Sequence, residues 1–182
     1  MFWQKIKRTE EKGKEKDAPA NAPKLPESFK VFLPEADHLA PWESLEDGNV
    51  VVAGLHGLSV VGEQGVVDSG LWHEIQYSAW DPEDRVFTLV WIQPERPGLR
   101  VATVSENPRR FMERVTNRVT DTVVVTRSFF TPAGTRVSAS VRRRVDGALF
   151  LTLLADGPLT ADDQVKAEQV ADDLGAEFKV ED

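Results

Sequence analysis

The sequence predicts an α+β protein, on three observations. Short runs rich in valine and other β-branched residues recur between glycine- or proline-containing turns, as strands of an antiparallel sheet do. Two segments, 105–119 and 160–175, instead carry apolar residues at helical spacing. The chain has 182 residues, 41% of them hydrophobic, and no cysteine. A chain of this size can bury a stable core without disulfides, so it suits one domain or a domain with a small extension.

The first half of the chain contains most of the predicted strands. Glycines separate the earliest of them, since glycine accepts the positive φ angles of tight turns. A proline-containing acidic turn, Asp81–Asp84, precedes the strongest apolar run. The predicted strands are 49–53, 58–61, 72–80, 85–92 and 99–104.

A helix is predicted next, over residues 105–119. Ser105 is placed to cap it, and Pro108 falls in the first turn, where proline is tolerated. Phe111, Val115 and Val119 recur every four residues and form its buried stripe. The residues expected in the core are Phe87, Leu89, Trp91, Phe111, Val115 and Phe150.

A three-stranded meander follows, over 122–130, 135–145 and 148–155. Asp146-Gly147 is typical of a two-residue hairpin turn. Such a turn would align Arg143 with Phe150 and Val141 with Thr152.

The last predicted helix runs from Thr160, its N-cap, to Gly175. Its apolar face consists of Ala167, Val170, Ala171 and Leu174. Glu177–Val180 is predicted as a short terminal strand.

Residues 1–30 are predicted to be a disordered charged tail. They mix Lys, Glu, Ala and Pro, with almost no apolar residue after Ile6, and cannot bury enough surface to offset their ordering entropy. The segment begins with Phe2 and Trp3, followed by Lys5, Lys7 and Arg8. Aromatic and basic residues together can contact a membrane surface, although Glu10 and Glu11 follow directly.

Charge is segregated along the chain, whose net charge is −8. Residues 31–84 contain eleven acidic residues and no Lys or Arg, whereas residues 85–144 contain twelve Arg and four acidic residues. Arg110, Arg114 and Arg118 recur every four residues, and we expect them opposite Phe111 and Val115 on the helix. Like charges at this spacing repel, so acidic segments of the chain neutralise the stripe, or it is a site for an anion or an acidic partner.

No catalytic or metal-binding motif is complete. His73-Glu74 begins like the zinc-protease pattern HExxH, but Tyr77 stands where the second histidine ligand is required. Gly54, Gly57, Gly62 and Gly65 match neither phosphate-binding glycine pattern, and no lysine is near them. The sequence therefore predicts no cofactor, no metal and no enzymatic activity. The acidic net charge argues against a nucleic-acid partner.

Three consecutive segments resemble those of a group of short, uncharacterised actinobacterial proteins similar to the bacterial pleckstrin-homology-like (PH-like) domain. They are NVVVAGLHGLSVVG, GLWHEIQYSAWDPEDRVFTLVW and ENPRRFMERVTNRVTDTVVVTR. The resemblance implies a bent antiparallel sheet closed at one end by a helix, over residues 31–119, with 120–182 as an added sheet-and-helix extension. Domains of this fold usually bind lipids, peptides or proteins, and the resemblance carries no catalytic residue.

A non-enzymatic binding or regulatory module is thus the predicted function, with an unidentified protein or anionic ligand as its partner. The alternative is a peripheral membrane protein that uses its N-terminal aromatic and basic residues. The charged start of the chain differs from a secretory signal peptide, which predicts a cytoplasmic location.

Overall fold

The computed structural model describes residues 23–180. The fold is α+β, as predicted, with three antiparallel sheets and a C-terminal helix. The first sheet contains β1 (Trp42–Ser44), β2 (Val50–Ala53), β3 (Gly57–Gly62) and β4 (Gly65–Leu71). The second sheet contains β5 (Ile75–Asp81), β6 (Val86–Trp91) and β7 (Leu99–Ala102). The third sheet contains β8 (Val123–Phe130), β9 (Arg136–Arg143) and β10 (Leu149–Ala155). The helices are α1 (Glu27–Lys30), α2 (Arg109–Asp121) and α3 (Ala161–Phe178). No helix in residues 23–180 is long and apolar enough to cross a membrane.

The first two sheets meet around one core. Two backbone hydrogen bonds, Glu46 N–H to the Ala102 carbonyl and Val104 N–H to the Ser44 carbonyl, join the ends of β1 and β7. Inside, Phe87 packs edge-on against Phe111 of α2, with ring centroids 5.2 Å apart. Of the six predicted core residues, Phe150 is only partly buried and the other five are buried.

Two boundaries in this region differ from the predictions by three residues or more. Residues 72–74 form a 3-10 turn, and the strand begins only at Ile75. The helix begins at Arg109 rather than near Ser105, whose hydroxyl accepts a hydrogen bond from the Asn107 N–H. Proline disfavours the helical conformation in the residue before it, so Pro108 prevents the helix from starting earlier.

The chain is ordered before residue 31, which corrects the predicted tail boundary. Leu25 is 3% exposed and packs with Phe29 and Leu33 against the outer face of β2. Both faces of β2 are therefore covered, which explains why all four of its residues are buried. The rest of the predicted tail, residues 1–22, lies outside the described residues.

The third sheet is a meander, as predicted, but its β9–β10 register is shifted by one residue. Arg142 is aligned with Phe150, and Val141 with Leu151. Gly147 has φ +90°, and the Arg144 N–H bonds to the Ala148 carbonyl, as in a three-residue loop with a glycine bulge. A one-residue shift places each side chain of β10 on the face opposite to the predicted one, relative to the side chains of β9.

Helix α3 covers one face of the third sheet. Thr160 caps it, accepting a hydrogen bond from the Asp163 N–H at 3.2 Å, and Ala171 and Leu174 are buried against Ala139 and Val141. The helix continues to Phe178, so the predicted strand 177–180 is wrong.

Candidate functional site

A shallow cleft of about 340 Å³ lies between the start of α2 and β5. Trp80, Pro108 and Met112 supply its apolar surface. The Trp80 indole N–H is bound to the Thr103 hydroxyl at 3.2 Å, which holds the ring in place. Polar side chains make up the rest of the lining: Asn107, Arg109, Glu113, Thr116 and Asn117.

The strand beside this cleft has one free edge. β5 pairs with β6 and with no other strand in residues 23–180. Free backbone N–H and C=O groups at a sheet edge can pair with an added extended segment. Helix α2, the apolar surface of the cleft and the unpaired edge of β5 therefore lie next to one another. A partner segment can bind there through both its backbone and its side chains.

The other end of the same two elements is closed by Arg142 of β9. Its Nη1 donates to the Ile75 carbonyl at 2.7 Å, at the start of β5. Its Nη2 donates to the Val119 carbonyl at 3.5 Å, in the last turn of α2. A third bond, at 3.3 Å, reaches the His73 carbonyl. The guanidinium group therefore joins the start of β5 to the end of α2, outside the lining of the cleft.

Arg142 is buried without an acidic partner. The residue is 4% exposed, and no carboxylate in the described part of the chain forms an ion pair with it. Burial lowers its pKa. The helix dipole favours a cation beside the C-terminal carbonyls of α2, and the three carbonyl bonds satisfy part of the guanidinium. Its Nε has no hydrogen-bond partner within residues 23–180.

His73 lies at the same junction. Its ring meets the Phe150 ring edge-on, with centroids 5.6 Å apart. Its buried Nδ1 has no hydrogen-bond partner among the described residues. Burial is the main cause that lowers the pKa of His73; nearby Arg144 and Arg142 lower it further, whereas Glu74 and Asp146 raise it.

The predicted Arg stripe flanks the buried face of α2 instead of opposing it. Each residue advances about 100° around a helix, so Arg110, Arg114 and Arg118 lie about 100° from Phe111, Val115 and Val119. Arg110 is exposed, while Arg114 and Arg118 are half-buried. Arg114 is not free, because its residue takes part in another bonding, ring or electrostatic interaction. Neither Arg110 nor Arg118 forms an ion pair with an acidic residue of positions 23–180.

The incomplete zinc-protease pattern has a structural role. The Glu74 carboxylate accepts a hydrogen bond from the Leu71 N–H at 2.8 Å and lies 3.9 Å from Arg96. Tyr77 is exposed on β5. Within residues 23–180, no three His, Asp or Glu side chains are placed to hold a metal ion together.

Gly62 and Gly65 of the glycine-rich region line a second concavity, of about 420 Å³, at the β1–β2 and β3–β4 turns, whereas Gly54 and Gly57 do not. Asp47, Glu63 and Gln64 line it, and no basic side chain does. The acidic lining disfavours phosphate, and Gly65, with φ +142°, serves the turn.

The tryptophans divide between core and surface. Trp72 and Trp91 are buried, whereas Trp42 and Trp80 are half-buried. The Arg96 guanidinium lies over the Trp91 ring, 3.4 Å from its centroid, and pairs with Asp68 at 2.6 Å. Arg96 therefore connects the β6–β7 loop to Asp68 of β4 while it stacks on Trp91.

Sequence reasoning missed Arg142 and the role of His73. The signal was present in the run Arg142–Arg144: alternate residues of a strand face opposite sides, so this run cannot place all three guanidinium groups on an open face. The five residues predicted to contact a membrane, Phe2, Trp3, Lys5, Lys7 and Arg8, lie outside the described residues.

Comparison of the chain with models of known protein families, with curated proteins and with solved structures finds no match.

Proposed function

We propose that this protein is a non-enzymatic binding module that receives an extended segment of a partner protein in the cleft between α2 and β5. The observation that carries the proposal is the apolar surface formed by Trp80, Pro108 and Met112 beside a strand with a free edge. An added strand would gain backbone hydrogen bonds from β5, and one apolar side chain of the partner would enter the cleft.

We also propose that residues 31–119 form a PH-like domain, and the order of elements supports this. The resemblance implies a bent antiparallel sheet closed at one end by a helix over residues 31–119, and this part of the chain has four antiparallel strands, then three, then a helix that packs into their shared core. Domains of that fold usually bind lipids, peptides or proteins, and a protein segment suits an apolar cleft better than a charged headgroup does. We also propose a cytoplasmic location.

The chemistry of the cleft supports binding rather than catalysis. Its polar side chains are amides, one hydroxyl and one ion pair, Arg109 with Glu113 at 2.8 Å. Thr116, the hydroxyl, has no histidine or lysine beside it in the cleft lining that could act as a base.

A displayed library of random peptides, selected against the full chain, tests the proposal. We expect the selected peptides to share an apolar anchor residue and to lose at least ~10-fold in affinity for Met112→Asp, since a carboxylate would be desolvated in the cleft. Val165→Asp, on the exposed face of α3, is the matched control and should bind unchanged. Peptides that bind Met112→Asp as well as wild type would refute the cleft as the site.

The peripheral-membrane alternative has a separate test. Sedimentation with vesicles rich in anionic lipid, for the whole chain and for a chain lacking residues 1–8, measures the contribution of the N-terminal aromatic and basic residues. Binding that depends on those residues, together with an unproductive peptide selection, would favour the membrane function over the proposed one.

A further inference from the structure

Acidic side chains stand at the rim of the cleft between β5 and α2. Three of them are exposed and come immediately after Trp80 of the cleft, in the β5–β6 turn: Asp81, Glu83 and Asp84. None of the three forms an ion pair within residues 23–180. The cation in the cleft lining, Arg109, is already paired with Glu113. An occupant of the cleft would therefore gain from positive charge as well as from an apolar side chain.

The described chain begins close to this cleft. The Trp42 indole N–H donates to the Pro23 carbonyl at 3.0 Å, which places Pro23 beside β1. Leu45, directly after β1, pairs with Thr103. The Thr103 hydroxyl in turn accepts the Trp80 indole N–H at 3.2 Å. A short series of contacts thus leads from Pro23, along β1, to the apolar surface of the cleft.

The chain that precedes Pro23 is long enough to return to the cleft. Residues 9–22 would connect the first eight residues to Pro23. A connector of this length spans at most about 46–50 Å when fully extended. A flexible one spans about 20 Å on average, whereas a small domain is about 30 Å across. The first eight residues can therefore reach the cleft, at a local concentration of about a millimolar.

Residues 2–8, Phe-Trp-Gln-Lys-Ile-Lys-Arg, have the chemistry that the cleft and its rim require. In an extended conformation alternate residues share one side, so Phe2 and Ile6 would lie on one side and Lys5 and Lys7 on the other. An apolar side chain would then enter the cleft while basic side chains reach the acidic turn. The connector contains no aromatic residue and no Leu, Ile or Val, so it offers no such anchor.

We propose that residues 2–8 of this chain bind in the β5–α2 cleft as an added strand beside β5, with their basic side chains at the Asp81–Asp84 turn. A partner must then displace this segment, which makes the N-terminal residues a built-in competitor for the cleft. The inference rests on the proposed function, because it takes the cleft as the binding site, and it adds the identity of the resting occupant. It also confines the predicted disordered tail to residues 9–22.

Paramagnetic broadening of amide signals in the full chain tests the inference. The chain has no cysteine, so Thr9→Cys provides a single attachment point for a nitroxide label, next to the segment and outside it. We expect amides of residues 77–81 and 109–113 to lose more than about half of their signal intensity, because the tethered label is present near them at about millimolar local concentration. Amides of residues 161–178, in α3, should keep theirs.

Charge reversal within the segment supplies the matched comparison. Lys5→Glu/Lys7→Glu should remove the broadening at the cleft, whereas Lys14→Glu/Lys16→Glu, the same charge change in the connector, should keep it. Both pairs lie outside residues 23–180, so neither alters the core. Broadening that is absent from the cleft, that is centred on the acidic concavity instead, or that is equal in the two variants would overturn the inference.

Failure of this inference and failure of the proposed function give different results. Selected peptides that lose affinity for Met112→Asp, together with no broadening at the cleft, would reject this inference and leave the proposed function intact. Selected peptides that bind Met112→Asp unchanged, together with no broadening, would reject both. Broadening at the cleft with an unproductive selection would support this inference and leave the partner protein without support.

Discussion

Arg142 shows how much one residue contributes to the arrangement of the chain. It is the only buried arginine among residues 23–180, and it joins the third sheet to both β5 and α2. Its neighbours Arg143 and Arg144 are exposed. A positive charge is tolerated at this depth because three carbonyl groups and the negative end of a helix surround it.

Replacement of Arg142 by alanine is expected to lower the free energy of unfolding by about 2–4 kcal/mol, because buried carbonyl groups lose their donor. Arg143→Ala, one residue further and exposed, should change it by less than ~0.5 kcal/mol. Urea unfolding followed by tryptophan fluorescence measures both. Equal effects from the two variants would show that the carbonyl bonds contribute nothing to stability.

His73 makes stability depend on pH in a defined direction. Its pKa is lowered in the folded protein, mainly by burial, so the unfolded chain binds the proton more readily. The stabilising contribution is therefore complete above the ordinary histidine pKa of about 6.5 and declines as the pH falls below it. His73→Gln should reduce the loss of unfolding free energy between about pH 7.5 and about pH 5; an identical loss in both proteins would contradict this.

At the scale of single elements, the N-terminal segment is structural. Leu25 and Phe29 close the outer face of the first sheet, and Leu25 lies in a stretch whose composition predicts disorder. Leu25→Ala should destabilise the protein by about 2–5 kcal/mol if its site is fully packed. Val31→Ala is the control, because Val31 is 74% exposed. A loss below ~1 kcal/mol for Leu25→Ala would show that this segment contributes little to the core.

A second prediction at this scale concerns the arginine charges on helix α2. Removing the charges of Arg110 and Arg118 should leave the free energy of unfolding unchanged or raise it by a few tenths of a kcal/mol, because like charges four residues apart repel. The variant is Arg110→Gln/Arg118→Gln, measured by urea unfolding, with Arg109→Gln, whose partner is Glu113, as comparison. A clear loss of stability in the double variant would mean that acidic groups neutralise these arginines after all.

At the scale of the whole molecule, two cores of unequal size predict two levels of stability. The C-terminal cluster has four buried members, against twelve in the cluster of the first two sheets and α2. Hydrogen exchange under native conditions should show amides of residues 137–141 opening at a lower free energy than those of residues 50–53 and 86–91. Identical opening free energies for the two sets would show that the chain unfolds as one cooperative unit.

Several features of the fold follow from the sequence alone, because their causes are local. Alternation and glycine turns predict most strands, the four-residue spacing of Phe111 and Val115 predicts the buried face of α2, and Thr160 with Asp163 predicts the start of α3. These signals depend only on neighbours along the chain.

Tertiary structure alone decided the rest. The sequence does not show that Leu25 has a sheet face to cover, nor that a glycine bulge at Gly147 shifts β10 by one residue. That shift brings Arg142 and Phe150 to one face of the third sheet, toward His73, more than sixty positions earlier in the chain. Contacts at such separation depend on packing and register, and neither is encoded in local spacing.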